Sequence, residues 1–341
     1  MVEPTKGLRE YNFDGVLGAT SSQTSLYESC AKMLVADFIN GYNATILCYG
    51  QTGSGKTYSM FGPDVGRDES VDRLAFSFTG KNTTSKVDGI VPRACSEVLL
   101  AIERRKDNSV KTFESKLSLS YIEIYGDEVS DLLRGGAQCF HSKVAAQRYV
   151  LSGAAEKPVE SMQEINEILI AGEKQKRKAA TAMNERSSRA HCLIVLSLEQ
   201  KCIQTGVSCS SKLFLADLGG SEQVKKSKVE VGKSKHIQAL ERKYLSKPSV
   251  DEGGTGTEGK DAEEPGEEEP EFSTGFRKGD RMREAVYINL GLLALKKVVK
   301  SLNSNDKKST YVPYADSKLT MLLSSGLGGD SKTAIVVCAS R

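Results

Sequence analysis

The sequence predicts an α/β protein, with a mostly central mixed β-sheet flanked by helices on both faces. Three observations predict it. Short apolar runs alternate with amphipathic helical runs over most of the 341 residues. The composition, 39% apolar and 27% charged, is that of a globular chain long enough for a large sheet-based domain. The octapeptide Gly50-Gln51-Thr52-Gly53-Ser54-Gly55-Lys56-Thr57 stands between a strand-like run and a helix-like run, the order in which a glycine-rich loop cradles phosphate.

The elements follow in chain order. Residues 25–40 place Leu26, Cys30, Met33, Leu34 and Ile39 at helical spacing. Residues 44–49 are an apolar run bounded by Gly41 and Gly50, as in a buried strand, and residues 56–60 open a helix. The polar stretch 62–88 has Gly62-Pro63-Asp64 at one end and Thr79-Gly80-Lys81-Asn82 near the other, and reads as a surface loop beside the phosphate loop. An amphipathic helix follows over 91–102, then a strand over 116–125 that alternates with period two. Short apolar strands are expected at 192–198, 212–216 and 334–339, with a further helix at 286–302. No internal repeat is present, so residues 1–341 are expected to form one domain.

One segment breaks the alternation. Residues 231–277 read as an insert, and within it residues 251–271 hold ten carboxylates against the single Lys260, among repeated Gly and Pro. Such a stretch cannot bury enough apolar surface to order itself, and disorder is expected there. It contributes a net −9 to a chain of +3, which leaves +12 elsewhere. Eight lysines and arginines lie between Lys225 and Lys247 against only Glu230 and Glu241. That excess suits an acidic polymer as partner, although a charge run taken alone is more often a solvated flexible loop.

Composition also excludes some classes. The eight cysteines include no Cys-x-x-Cys pair, which predicts neither a disulfide framework nor a zinc site, and a reducing compartment. The longest apolar runs are too short to cross a bilayer, and Met1 is followed by Glu3, Lys6 and Arg9 rather than by a signal core. The expected location is the cytoplasm, with no membrane insertion.

The loop itself dictates a triphosphate ligand. Its glycines turn backbone N–H groups of residues 50–55 towards phosphate oxygens, Lys56 reaches the terminal phosphates, and the Thr57 hydroxyl ligates Mg²⁺. Further motifs lie downstream. Asn184-Glu185-Arg186-Ser187-Ser188-Arg189-Ala190-His191 and Asp217-Leu218-Gly219-Gly220-Ser221-Glu222 resemble the switch I and switch II signatures of kinesin motor domains. Residues 11–17, 41–60, 120–133 and 311–333 are similar to the same family, in the same order, and the resemblance covers nearly the whole chain outside the inserts.

The resemblance implies a Mg²⁺-dependent ATPase that holds ATP or ADP and binds microtubules in the cytoskeleton. It assigns Ser187 with Thr57 to Mg²⁺, Asp217 to the metal shell through water, and Ser188 to the lytic water. It gives the Gly220 N–H the γ-phosphate, pairs Arg189 with Glu222, and includes Asn184 among the nucleotide contacts. Glu222 is the group expected to take the proton through waters, whereas His191, ahead of a buried strand, orients its loop. Tyr58 stands where an aromatic ring stacks on adenine, and no Asn-Lys-x-Asp guanine reader is present. No nucleic-acid partner is implied, and dimerisation would run through regions outside this chain.

The chain also departs from the family pattern. It lacks the opening strand with Arg-x-Arg-Pro and the closing strand, last helix and neck linker, so the expectation is that it does not walk by itself. Leu290, Ala315 and Met321 stand where basic residues usually face acidic tubulin. Gly291 lies in the same helix-opening motif, and Ala190 and Gly219 replace a serine and an alanine in the switches. These departures motivate a second reading, a nucleotide-holding but non-motile microtubule-binding or scaffold protein.

Overall fold

A strand buried on both faces needs apolar side chains at successive positions, and the central strands of this chain have them. In a computed structural model of the protein the described residues are 2–3, 7–8, 10–63, 85–106, 113–144, 148–152, 154–181, 190–221, 280–303, 311–328 and 331–340. The strands are β1 (Val2–Glu3), β2 (Gly7–Leu8), β3 (Asn43–Gly50), β4 (Phe113–Tyr125), β5 (Glu128–Asp131), β6 (Ala137–Gln138), β7 (Phe140–Val144), β8 (Arg148–Ser152), β9 (Lys157–Pro158), β10 (His191–Cys202), β11 (Ser208–Asp217) and β12 (Ser331–Cys338). The helices are α1 (Gln23–Cys30), α2 (Lys32–Ile39), α3 (Lys56–Phe61), α4 (Ile90–Lys106), α5 (Met162–Thr181), α6 (Asp280–Leu302), α7 (Lys318–Leu322) and α8 (Ser324–Leu327).

The chain divides into two compact units, Met1–Glu222 with Tyr287–Arg341, and Gln223–Val286. Of the second, only residues 280–286 are described, as the first turns of α6. The expected insert at 231–277, with its acidic run, lies outside the described residues, as do positions 64–84 of the polar loop.

The first unit is built on an eight-stranded mixed sheet in the order β12-β3-β11-β10-β4-β5-β6, with β9 beside β4. β12, β3 and β11 run parallel, and the pairs from β11 to β6 are antiparallel. Alternation along each strand feeds two cores. Ile46, Cys48, Ile194, Leu196, Leu213 and Leu215 join one face, under α1, α2, α4 and α5. Leu47, Leu193, Val195, Phe214 and Ala216 join the other, under α6, α7 and α8. Helices cover both faces, as the sequence predicts.

Several elements differ from their sequence-based bounds for physical reasons. The helix expected over 25–40 starts earlier, because the Ser22 hydroxyl accepts from the Ser25 N–H at 3.0 Å, and it divides at Ala31, where φ is −108°. β4 and β10 run well past their apolar stretches. Their polar ends pair Lys116 with Glu199 and Glu114 with Lys201 directly opposite, so opposite charges extend the ladder where burial stops. The polar loop closes at its base: a Cβ on Gly62 would stand 2.8 Å from the Val87 carbonyl, and the Gly89 N–H bonds the Phe61 carbonyl at 3.2 Å.

Candidate functional site

Because β3, β11 and β12 are parallel, their carboxyl ends open on the same edge of the sheet, the edge where α/β proteins place ligands. The phosphate loop leaves β3 there and enters α3 directly. Gly53 and Gly55 hold φ of 77° and 97°, in the left-handed region that a side chain resists. At Gly50 space is the constraint. A Cβ would overlap the Cys338 carbonyl and stand 2.6 Å from Ser54 Oγ.

The polar groups of the loop converge. Lys56 is 8% exposed, and its ammonium donates to the Gln51 carbonyl at 2.8 Å. The Thr57 hydroxyl donates to Asp217 Oδ2 at 2.6 Å, so the last residue of β11 meets the second residue of α3. The other carboxylate oxygen, Asp217 Oδ1, is buried without a hydrogen-bond partner, and so is Ser54 Oγ. Burial raises the Asp217 carboxyl above its ordinary range, while Lys176, Thr57 and Lys56 pull it down. An unsatisfied buried carboxylate oxygen beside a hydroxyl suits a hard cation. No cluster of three or more His, Cys, Asp or Glu exists among the described residues.

The segment after β11 is tied back to the loop. The Leu218 N–H bonds the Cys48 carbonyl at 3.2 Å, and the Ser221 N–H bonds the Gly50 carbonyl at 3.1 Å. Between them the Gly219 N–H donates to His191 Nδ1 at 3.0 Å, and Gly220 is buried. His191 is itself buried, and burial with the charge of Lys56 holds its pKa down to about 4. It therefore stays neutral and accepts a backbone N–H, an orienting role rather than that of a base.

Within α3, Tyr58 is 51% exposed, its ring open to a stacking partner. Its carbonyl accepts from Gln23 Nε2 at 2.7 Å, and Gln23 Oε1 is buried and unpartnered. Gln23 escapes the sequence reading because it lies at the first turn of α1, far from any motif. A buried polar group behind Asp217 escapes it as well. Lys176, in α5, lies 3.7 Å from Glu173, which accepts the Tyr121 hydroxyl. Burial opposes the charge of Lys176, yet Cys192, Glu173 and Asp217 outweigh it and raise its pKa. The available signal was Glu173 and Lys176 at i, i+3 within a helix whose Met162, Ile165 and Leu169 are buried.

Not every expected residue can be placed. Gly50, Gln51, Thr52, Gly53, Ser54, Gly55, Lys56, Thr57, Tyr58, Asp217 and Gly220 lie together at this edge of the sheet. Asn184, Ser187, Ser188, Arg189 and Glu222 lie outside the described residues. Their flanks do not: α5 ends at Thr181, β10 begins at His191, and Ser221 is anchored on Gly50.

Comparison with known proteins gives a consistent picture. The kinesin motor domain profile matches residues 3–243 and 266–341. Over 337 residues the chain is 33% identical to the human chromosome-associated kinesin KIF4B, covering 97% of this chain and 22% of that protein. It is 32% identical to the kinesin heavy chain of Botryotinia fuckeliana, again over 97% of this chain and 30% of the relative. The solved structure of a fast kinesin superposes with a TM-score of 0.69 at 30% identity, covering 97% of this chain and 73% of that one. The chain therefore spans less than a third of the length of either sequence relative. With the phosphate loop, the Thr57–Asp217 contact and the anchored segment after β11 already in place, the profile match on both sides of residues 244–265 settles the family: the chain belongs to the kinesin motor domain family.

Proposed function

We propose that the chain is an ATP-hydrolysing, Mg²⁺-dependent, microtubule-binding motor domain of a cytoskeletal kinesin-like protein. The observation that carries the reading is the contact of Thr57 with Asp217 beside the unpartnered Asp217 Oδ1, at the mouth of the phosphate loop. Thr57 and Ser187 would hold Mg²⁺ directly and Asp217 through water. Once bound, the ion supplies Lewis-acid neutralisation of charge on the β- and γ-phosphoryl oxygens.

The remaining work belongs to the protein. Lys56, now held by the Gln51 carbonyl, turns to the terminal phosphates of ATP. The N–H groups of the loop cradle the phosphates, and the Tyr58 ring stacks on adenine. Gly220, between the anchors at Leu218 and Ser221, would offer its N–H to the γ-phosphate. Ser188 positions the lytic water, Arg189 and Glu222 close the two switches by pairing, and Glu222 accepts the proton through water. Asn184 adds a nucleotide contact.

Steady-state phosphate release, with and without microtubules, tests this reading on wild type and on Glu222→Ala. The expected result is Mg²⁺-dependent turnover raised by microtubules and abolished in the variant. Release at background in both conditions from a folded chain rejects the enzymatic reading. Leu290, Ala315 and Met321, which remove basic residues from the expected tubulin-facing side, favour a second reading. In it, the chain holds nucleotide and binds or scaffolds microtubules without cycling, and Glu222→Ala changes nothing.

A further inference from the structure

Helix α3 is too short to hold its own place. A helix of 6 residues closes few internal hydrogen bonds, so its seat is set by what bonds to it from outside. Its amino end continues the phosphate loop, and near its carboxyl end the Phe61 carbonyl accepts the Gly89 N–H at 3.2 Å. Between these stands Tyr58, whose carbonyl accepts from the Gly62 N–H at 2.9 Å and from Gln23 Nε2 at 2.7 Å. The first bond belongs to α3 and its cap. The second comes from α1, 35 positions earlier in the chain.

Gln23 is the first residue of α1, and it is 6% exposed. It is not what seats that helix. Ser22 caps it, and one turn beyond Gln23 the Tyr27 hydroxyl donates to Glu97 Oε2 of α4 at 2.5 Å. The amide is also a poor stabiliser where it lies, because Oε1 is buried without a hydrogen-bond partner among the described residues. A buried acceptor left unpaired costs about what a hydrogen bond contributes, so one bond made and one unmade nearly cancel. A methionine, of similar length, would fill the space with neither. What the amide supplies, and methionine cannot, is a fixed place for the backbone of Tyr58.

The phosphate-directed side chains have anchors of their own. Lys56 donates to the Gln51 carbonyl and Thr57 to Asp217, and neither bond involves Gln23. The exposed Tyr58 ring binds a base best when its orientation is set in advance, since ordering it on binding would offset part of the stacking. We propose that Gln23 is a positioning residue for the base of the nucleotide: it holds the Tyr58 backbone so that the ring is set for stacking, and it acts on the base and not on the phosphates. That role rests on the nucleotide binding proposed above.

The test compares ATP with tripolyphosphate, which has the phosphates and no base. Both are measured on the full chain with Mg²⁺, by displacement of an ATP analogue labelled on its ribose. Gln23→Met is expected to weaken ATP by about two- to fivefold, the upper figure being the whole contribution of stacking on Tyr58, and to leave tripolyphosphate as in wild type. Added to Tyr58→Ala, the same substitution is expected to cost nothing further, because the ring it positions is gone. Gln23→Leu also lacks the donor and is read in the same way if the methionine variant does not fold. Equal weakening of ATP and tripolyphosphate overturns the proposal, since Gln23 would then support the loop as a whole. Unchanged ATP affinity in the single variant, or losses that add in the double one, overturns it as well. Wild type that binds neither ligand rejects the nucleotide reading itself and this role with it, an outcome visible before any variant is made.

Discussion

His191 makes the folded chain sensitive to mild acid. Its ring is 3% exposed, and Nδ1 must stay unprotonated to accept the Gly219 N–H at 3.0 Å. Its pKa is held at about 4 against an ordinary 6.5, first by burial and then by Lys56. Between those values the unfolded chain binds a proton that the folded chain refuses. The contribution is therefore complete above the unfolded value and is lost as pH falls towards the folded one. The full gap is worth roughly 3 kcal/mol, of which about 2 kcal/mol is lost between about pH 7 and pH 5. His191→Asn keeps an acceptor oxygen near the position of Nδ1 and cannot titrate. Urea unfolding of both proteins at the two pH values is the assay, with wild type expected to lose about 2 kcal/mol more than the variant on acidification. Equal losses would refute the claim that His191 is buried neutral against Gly219, whatever the variant costs at neutral pH.

Two further outcomes follow from the same edge of the sheet. Tyr58→Ala should weaken binding of an adenine nucleotide by about fivefold, the low end of base stacking on an aromatic ring because Tyr58 is half open to water, whereas Tyr58→Phe should bind as wild type. Fluorescence titration reads both. Lys176→Met leaves Glu173 buried without its cation and should cost about 3–5 kcal/mol, while adding Glu173→Gln should restore part of the loss, read as urea midpoints; no recovery in the double variant refutes the pairing.

The loop and strand β3 were legible because glycine spacing, apolar run and helix start agree over one short stretch. Asp217 was legible from its motif and a strand end, and the structure brings it to Thr57 from 160 positions away in the chain. What stayed hidden depends on pairing. The ends of β4 and β10 are polar, and only the register that sets Lys116 against Glu199 makes them strand. Helix α5 was missed because its charged residues mask the apolar spacing of Met162, Ile165 and Leu169, and because Glu173 and Lys176 are buried where charges are usually exposed. Gln23 carries no local signal at all, since its role is set by the Tyr58 carbonyl it meets.

Packing rather than helix propensity should decide what alanine does at the helical glycines, and two of them give opposite signs. A Cβ at Gly291 in α6 finds, among the described residues, only His191 Nε2 at 3.7 Å, an ordinary contact. Gly291→Ala should then stabilise the chain by up to about 1 kcal/mol, the propensity difference between the two residues in a helix. At Gly172 in α5 the same atom would overlap the ring of Tyr121, which is fully buried and anchored through its hydroxyl to Glu173. The ring has nowhere to turn, so an overpacking cost of about 1–3 kcal/mol outweighs the propensity gain and Gly172→Ala should destabilise. Urea midpoints of the two variants should move in opposite directions, and a shift of the same sign in both would mean that these contacts do not control the outcome. Because Gly291 approaches His191 from the side away from Gly219, Gly291→Ala should also keep the acid sensitivity of wild type. The departure from the family pattern at this position is then free of any steric demand, and the orientation of His191 depends on its bond to Gly219.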